Sequence, residues 1–192
     1  MTVRIQLTAE MIESAKNYAI LSAPHTSNRH DFHGGGLANK ATKMFEGKLG
    51  ERAFQAWLSI EGIITIPDRS SHEVADSFDF IVSGRTIDVK TYTQGFHRRL
   101  LEMVEQYRRG PKDYYVATRL HFSPFSVRLE SGEIIFELEA VTTSTVDIIG
   151  WVTGREVGAA KVENLGYQDN YSIWLTDLRP PSSLVQELRG FV

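Results

Sequence analysis

The sequence contains no cysteine, which excludes disulfides, cysteine–zinc sites and a thiol nucleophile. It has no apolar run of transmembrane length and no evident signal peptide, so a soluble, cytoplasmic protein without a membrane partner is expected. Basic residues are not in excess: 21 Lys and Arg stand against 24 Asp and Glu, a net charge of −3. That balance speaks against a chain that grips nucleic acid by overall charge alone. There is no Gly-x-Ser-x-Gly elbow, no Gly-x-x-x-x-Gly-Lys loop and no dinucleotide fingerprint. Gly34-Gly35-Gly36 lacks the flanking strand those motifs require. No nucleotide cofactor is therefore expected.

The charge that is present is unevenly placed. Residues 85–120 carry eight Lys/Arg and four Asp/Glu, whereas residues 121–192 carry five and ten. The first segment is thus net +4 and the second net −5. A basic segment next to a carboxylate cluster suits phosphodiester chemistry, although a charge run is more often a solvated face. At 192 residues the chain suits one domain, residues 1–192, with a sizeable core.

The positive stretch begins at the most informative feature. Residues 78–90 alternate apolar and polar on either side of Ser83-Gly84, a pattern that predicts a β-hairpin. A Ser83-Gly84 loop pairs Val82 with Arg85 and sets Asp79 opposite Asp88. A Gly84-Arg85 loop sets Asp79 opposite Lys90, and glycine in the first loop position slightly favours it through a type II′ turn. Either register puts Asp79, Asp88 and Lys90 on one face and Phe80, Val82, Ile87 and Val89 on the other. Two carboxylates on one sheet face repel unless a cation lies between them. The plainer alternative is an Asp79–Lys90 cross-strand ion pair on a solvated face.

Upstream, residues 47–60 predict an amphipathic helix with Leu49, Ala53, Phe54, Trp57 and Leu58 on its apolar stripe. Glu51 borders that stripe. A helix bearing Gly-x-x-Gly-Glu, then a strand with Asp, a tight turn and a strand with Asp-x-Lys resembles the PD-(D/E)XK nuclease superfamily. Asp79 matches the aspartate of the second motif, Asp88-Val89-Lys90 the third, and Glu51 the preceding helix glutamate. Ser77-Phe78 stands where the literal proline would precede Asp79. Pro67-Asp68 also occurs, but Asp79 lies in the strand and is preferred.

The resemblance implies an α/β fold: a mixed β-sheet flanked by helices, with a restriction-endonuclease-like core of helix, strand hairpin, strand, helix and strand. An N-terminal helix and loop and C-terminal strands would be additions to it. It implies Mg²⁺-dependent hydrolysis of DNA, with Mn²⁺ able to substitute. Asp79, Asp88 and the Val89 carbonyl would ligate the metal, Glu51 a bound water or second ion, and Lys90 would orient the attacking water. Products would carry 3′-hydroxyl and 5′-phosphate ends. Cutting both strands would call for a homodimer. A binding or assembly module that keeps this fold without catalysis is the rival reading.

Elsewhere, Thr8 predicts the cap of a helix over residues 8–21 with Met11, Ala15, Tyr18 and Ala19 on one side. Residues 22–46 read as a mobile loop, in which Arg29, His30, Lys40, Lys43 and Lys48 (at the start of the next helix) would contact phosphates. His30, Asp31 and His33 form a weak candidate metal set. Residues 95–109 read as a second helix with Phe96, Leu100, Met103, Val104 and Tyr107 inward and Arg98, Arg99 and Arg109 available to phosphates. Strands are expected at 113–120, 133–138 and 147–153, and a short helix at the end.

Overall fold

The computed structural model describes residues 2–28, 36–68, 78–122, 125–138, 144–165 and 168–190. A strand β1 (Val3–Gln6) leads into helix α1 (Ala9–Ser22), and Thr8 Oγ1 accepts the Met11 amide at 3.2 Å, as its cap position predicts. Helix α2 spans Leu37–Ile60. Strands β2 (Ile66–Pro67), β3 (Phe80–Val82) and β4 (Arg85–Tyr92) follow. Then come β5 (Arg99–Met103), the short helix α3 (Val104–Arg109) and β6 (Tyr114–His121). The remaining elements are the hairpin β7 (Phe125–Glu130) and β8 (Glu133–Leu138), β9 (Thr145–Thr153), α4 (Gly154–Ala159), β10 (Lys161–Asn164), β11 (Asp169–Trp174) and α5 (Pro181–Arg189).

Six strands form a mixed sheet in the order β1-β9-β6-β4-β3-β2, in which only β4 and β6 run parallel. The result is a mixed α/β fold with helices flanking a mixed sheet. On one side α1, α2 and α5 bury Ile12, Phe45, Leu49, Phe54, Trp57 and Leu184 with Phe80, Val82, Ile87 and Val89 of the sheet. The other side is covered by a second, antiparallel sheet, β10-β11-β5. There Leu100 packs with Tyr115, Ala117, Val152 and Val157. Among the described residues, no helix is long and apolar enough to cross a membrane.

The structure departs from the sequence reading in three places. First, α2 begins at Leu37 rather than near Gly47, so much of the expected loop is helix. Ala41, Met44 and Phe45 extend its buried stripe backward, and that packing outweighs the low helix propensity of Gly47 and Gly50. Second, residues 99–103 are the strand β5, and only Val104–Arg109 are helical. Leu100 and Glu102 are buried with period two because β5 pairs with β11, Leu100 opposite Ile173 and Glu102 opposite Tyr171. Third, the hairpin turns on Ser83-Gly84 and pairs Val82 with Arg85, not through the Gly84-Arg85 loop that turn chemistry favoured. Ser83 (φ 49°) and Gly84 (φ 75°) both have positive φ, as a type I′ turn requires. Asp113 Oδ2 takes the Thr86 amide at 2.8 Å and its hydroxyl at 2.9 Å, which fixes that register from outside the hairpin.

Candidate metal and phosphate site

Helix α2 reaches the sheet through its glycines. Thr91 Oγ1 on β4 donates to the Gly47 carbonyl at 3.3 Å, and a Cβ on Gly50 would lie 2.7 Å from Thr118 Oγ1 and closer still to Thr91 Oγ1. Only a residue without a side chain allows this approach at Gly50, whereas a Cβ on Gly47 would meet nothing within 4 Å, so the second glycine of Gly-x-x-Gly-Glu has a packing cause. It delivers Glu51 to the sheet. There Glu51 Oε2 lies 2.5 Å from Lys48 Nζ, which also sits over the Tyr18 ring, 3.9 Å from its centroid. Burial alone would lower the Lys48 pKa, but Glu51 and then Tyr18 and Asp79 raise it by more, so the ammonium stays charged. Lys48 is therefore a buried partner of Glu51 rather than the outward phosphate contact expected from sequence.

The register ends at Phe80 opposite Ile87, and continued by one residue it would set Asp79, which lies just before β3 rather than in the strand, opposite Asp88. The Asp79 amide donates to the Ile87 carbonyl at 3.0 Å, and its carboxylate Oδ2 accepts the Val89 amide at 2.6 Å. Strand geometry sends the Val89 carbonyl from the same edge of β4 as its amide. Burial first, then the charges of Glu51 and Asp88, raise the Asp79 pKa well above the ordinary carboxylate range. The hydrogen bond from Val89 and the charge of Lys48 only partly oppose that rise.

Asp88 and Lys90 point away from α2, toward the second sheet. Lys90 Nζ lies 2.8 Å from Asp88 Oδ2 and 2.8 Å from Glu102 Oε2 of β5. Both approaches are off the line of a good hydrogen bond, so these buried oxygens are ion-paired without an aligned donor. Burial works against the Lys90 ammonium, yet Asp88 and Glu102 together hold it well above the ordinary lysine range. Burial, with the charge of Asp88 adding to it, raises Glu102, and Lys90 restrains the rise.

The structure thus brings Glu51, Asp79, Asp88 and Lys90 into one electrostatic system and adds Lys48 and Glu102 to it. Four carboxylates against two ammoniums leave two negative charges when all are ionised. Among the described residues, no three carboxylates or histidines converge as a ready-made cation cage. The donor set is nonetheless of hard oxygens, and Asp79 carries like-charge repulsion from two sides. That chemistry fits a small divalent cation.

The remaining sequence candidates scatter. Arg29, His30, Asp31 and His33 lie outside the described residues. Lys43 and Arg98 are exposed. Arg99 is committed to the second sheet, where its guanidinium pairs with Glu163 and stacks 4.2 Å over Trp174. Glu102 joins the site although a helical reading of residues 95–109 conceals it. The signal for it is the alternation of residues 99–103, which puts a carboxylate two positions from the buried Leu100. Comparison of the chain with protein-family models, with curated proteins and with solved structures gives no significant match.

Proposed function

We propose that the protein is a divalent-metal-dependent phosphodiesterase acting on DNA, with the core of the PD-(D/E)XK nucleases. The observation that carries this reading is the placement of Asp79: a half-buried carboxylate at the break of the β3–β4 ladder whose Oδ2 accepts the Val89 amide at 2.6 Å, with burial and then the charges of Glu51 and Asp88 raising its pKa. Asp79, Asp88 and the Val89 carbonyl would hold Mg²⁺, or Mn²⁺ in its place, and Glu51 a bound water or second ion. Such a metal, when bound, lowers the pKa of its water and polarises the scissile phosphate. Lys90 is charged and held between Asp88 and Glu102, so it can orient a water and offset negative charge at the phosphate. Lys48 pairs with Glu51 and offsets its charge. The experiment is a cleavage assay on linear, circular, single-stranded and branched DNAs with Mg²⁺ and with EDTA. Mg²⁺-dependent products ending in 5′-phosphate support the reading, and cleavage that persists in EDTA overturns it.

One observation favours a second reading, a non-catalytic nucleic-acid-binding or assembly module. Lys90 already pairs with Asp88 and Glu102, and Lys48 already pairs with Glu51. A scaffold held by these ion pairs would need no metal. Mg²⁺ or Mn²⁺ should raise the melting midpoint of the enzyme by mass action and leave that of the scaffold unchanged.

A further inference from the structure

Where β4 runs on past Lys90, a cavity of about 430 Å³ opens between Tyr92, Phe96, His97, Arg98, Leu101 and Trp174. Its wall is aromatic. Phe96 packs edge-on against His97 with centroids 4.7 Å apart, and His97 against Tyr92 at 5.9 Å. Phe96 is 72% exposed and Trp174 49%, although rings of this size normally bury most of their surface. Arg99 holds one face of the Trp174 indole and is itself held by Glu163. Arg98 at the rim is exposed and, among the described residues, makes no ion pair. We infer that this cavity receives one unpaired nucleobase of a single strand whose phosphate lies at Lys90.

Three features favour a base over an apolar side chain. The exposed rings of Phe96 and Trp174 can stack on any base, because every base presents a π-face. The exposed Arg98 matches the phosphate that accompanies a base and has no counterpart in an apolar peptide. The third feature is continuity: Lys90 and Tyr92 are two positions apart on β4, hence on one face and about 7 Å apart along the strand. The placement of the phosphate rests on the hydrolase reading, but the base pocket itself does not.

The structure supplies its own reporter. Of the three tryptophans, Trp57 and Trp151 are buried at 2% and 3% exposure, so stacking of an added base is read by Trp174. A thymidylate oligonucleotide and an abasic deoxyribose-phosphate oligomer of equal length are titrated in EDTA, where no metal-dependent cleavage occurs. The thymidylate should quench the indole emission and bind about 5- to 150-fold more tightly than the abasic chain. Phe96→Ala should lose most of that margin while melting like wild type, since Phe96 is exposed. Equal affinity for the two oligomers, an unchanged Phe96→Ala variant, or no quenching would overturn the pocket. Base-dependent quenching without any Mg²⁺-dependent cleavage would count against hydrolysis alone. Cleavage with base-independent binding would count against the pocket alone.

Discussion

The Val89 amide donates to the Asp79 carboxylate at 2.6 Å, so an acidic side chain stands in for a backbone carbonyl at the point where β3 leaves β4. The bond fixes the Asp79 carboxylate beside Asp88 although burial and two neighbouring charges oppose its ionisation. Such a group is held in place at a cost in stability, as is common where binding is the purpose.

Asp79→Asn keeps an oxygen to accept the Val89 amide and removes the charge. The Asp79 pKa is raised on folding, so above the unfolded aspartate pKa the native state holds a proton that the unfolded chain has lost. Stability therefore falls as pH rises from that point through the folded pKa. In metal-free buffer at neutral pH, Asp79→Asn should melt higher, by roughly 2–4 °C for a gain of about 1 kcal/mol. It should also show a shallower fall of melting temperature above pH 4. A lower midpoint with an unchanged pH slope would contradict this account of Asp79.

Lys90→Ala leaves the paired carboxylates Asp88 and Glu102 without their shared ammonium. It should destabilise the fold by about 3 kcal/mol, the low end for such pairs because Lys90 keeps a quarter of its side chain exposed. Loss of activity in this variant therefore has to be measured against the amount of folded protein. Adding Glu102→Gln to Lys90→Ala should recover part of the loss, which denaturant melts of the single and double variants will measure.

Lys90 also predicts an alkaline signature. Its pKa is raised on folding above 10.5, so its stabilising contribution is complete below that value and disappears as pH rises through the folded pKa. With Glu102→Gln one of the two raising charges is gone, so the alkaline loss of stability should be smaller and end at lower pH. Melting curves from pH 9 to 12 compare the two proteins.

Gly50→Ala puts a methyl group against Thr91 Oγ1 and Thr118 Oγ1. Overpacking of this kind costs about 1–3 kcal/mol. If α2 retreats to relieve it, Glu51 moves with it, and Mg²⁺-dependent activity should fall by more than the loss of folded protein explains. Thr91→Ala in the same chain should restore part of the stability.

The hairpin was legible because its apolar positions alternate over a short, local stretch: Phe80, Val82, Ile87 and Val89 are all buried. Its register was not, since the choice between two turns depends on Asp113, 27 residues from Thr86. Glu51 was legible from its place beside an apolar stripe, but the reason for Gly50 needed the two threonines of β4 and β6. Glu102 was hidden because residues 96–107 also fit a helical stripe. Only pairing with β11, some 70 residues downstream, makes residues 99–103 a strand. That pairing is non-local and leaves no mark on the segment itself. Lys48 looked like a surface lysine because nothing in its local sequence reveals that Tyr18 of α1 covers it.

The most direct test is cleavage of DNA by wild type and by Asp88→Asn, side by side, in Mg²⁺ and in EDTA, with folding of both checked by melting. The account predicts cleavage by wild type in Mg²⁺ alone and a loss of at least a hundredfold in Asp88→Asn. An Asp88→Asn protein that cleaves like wild type, or a wild type indifferent to EDTA, would contradict it.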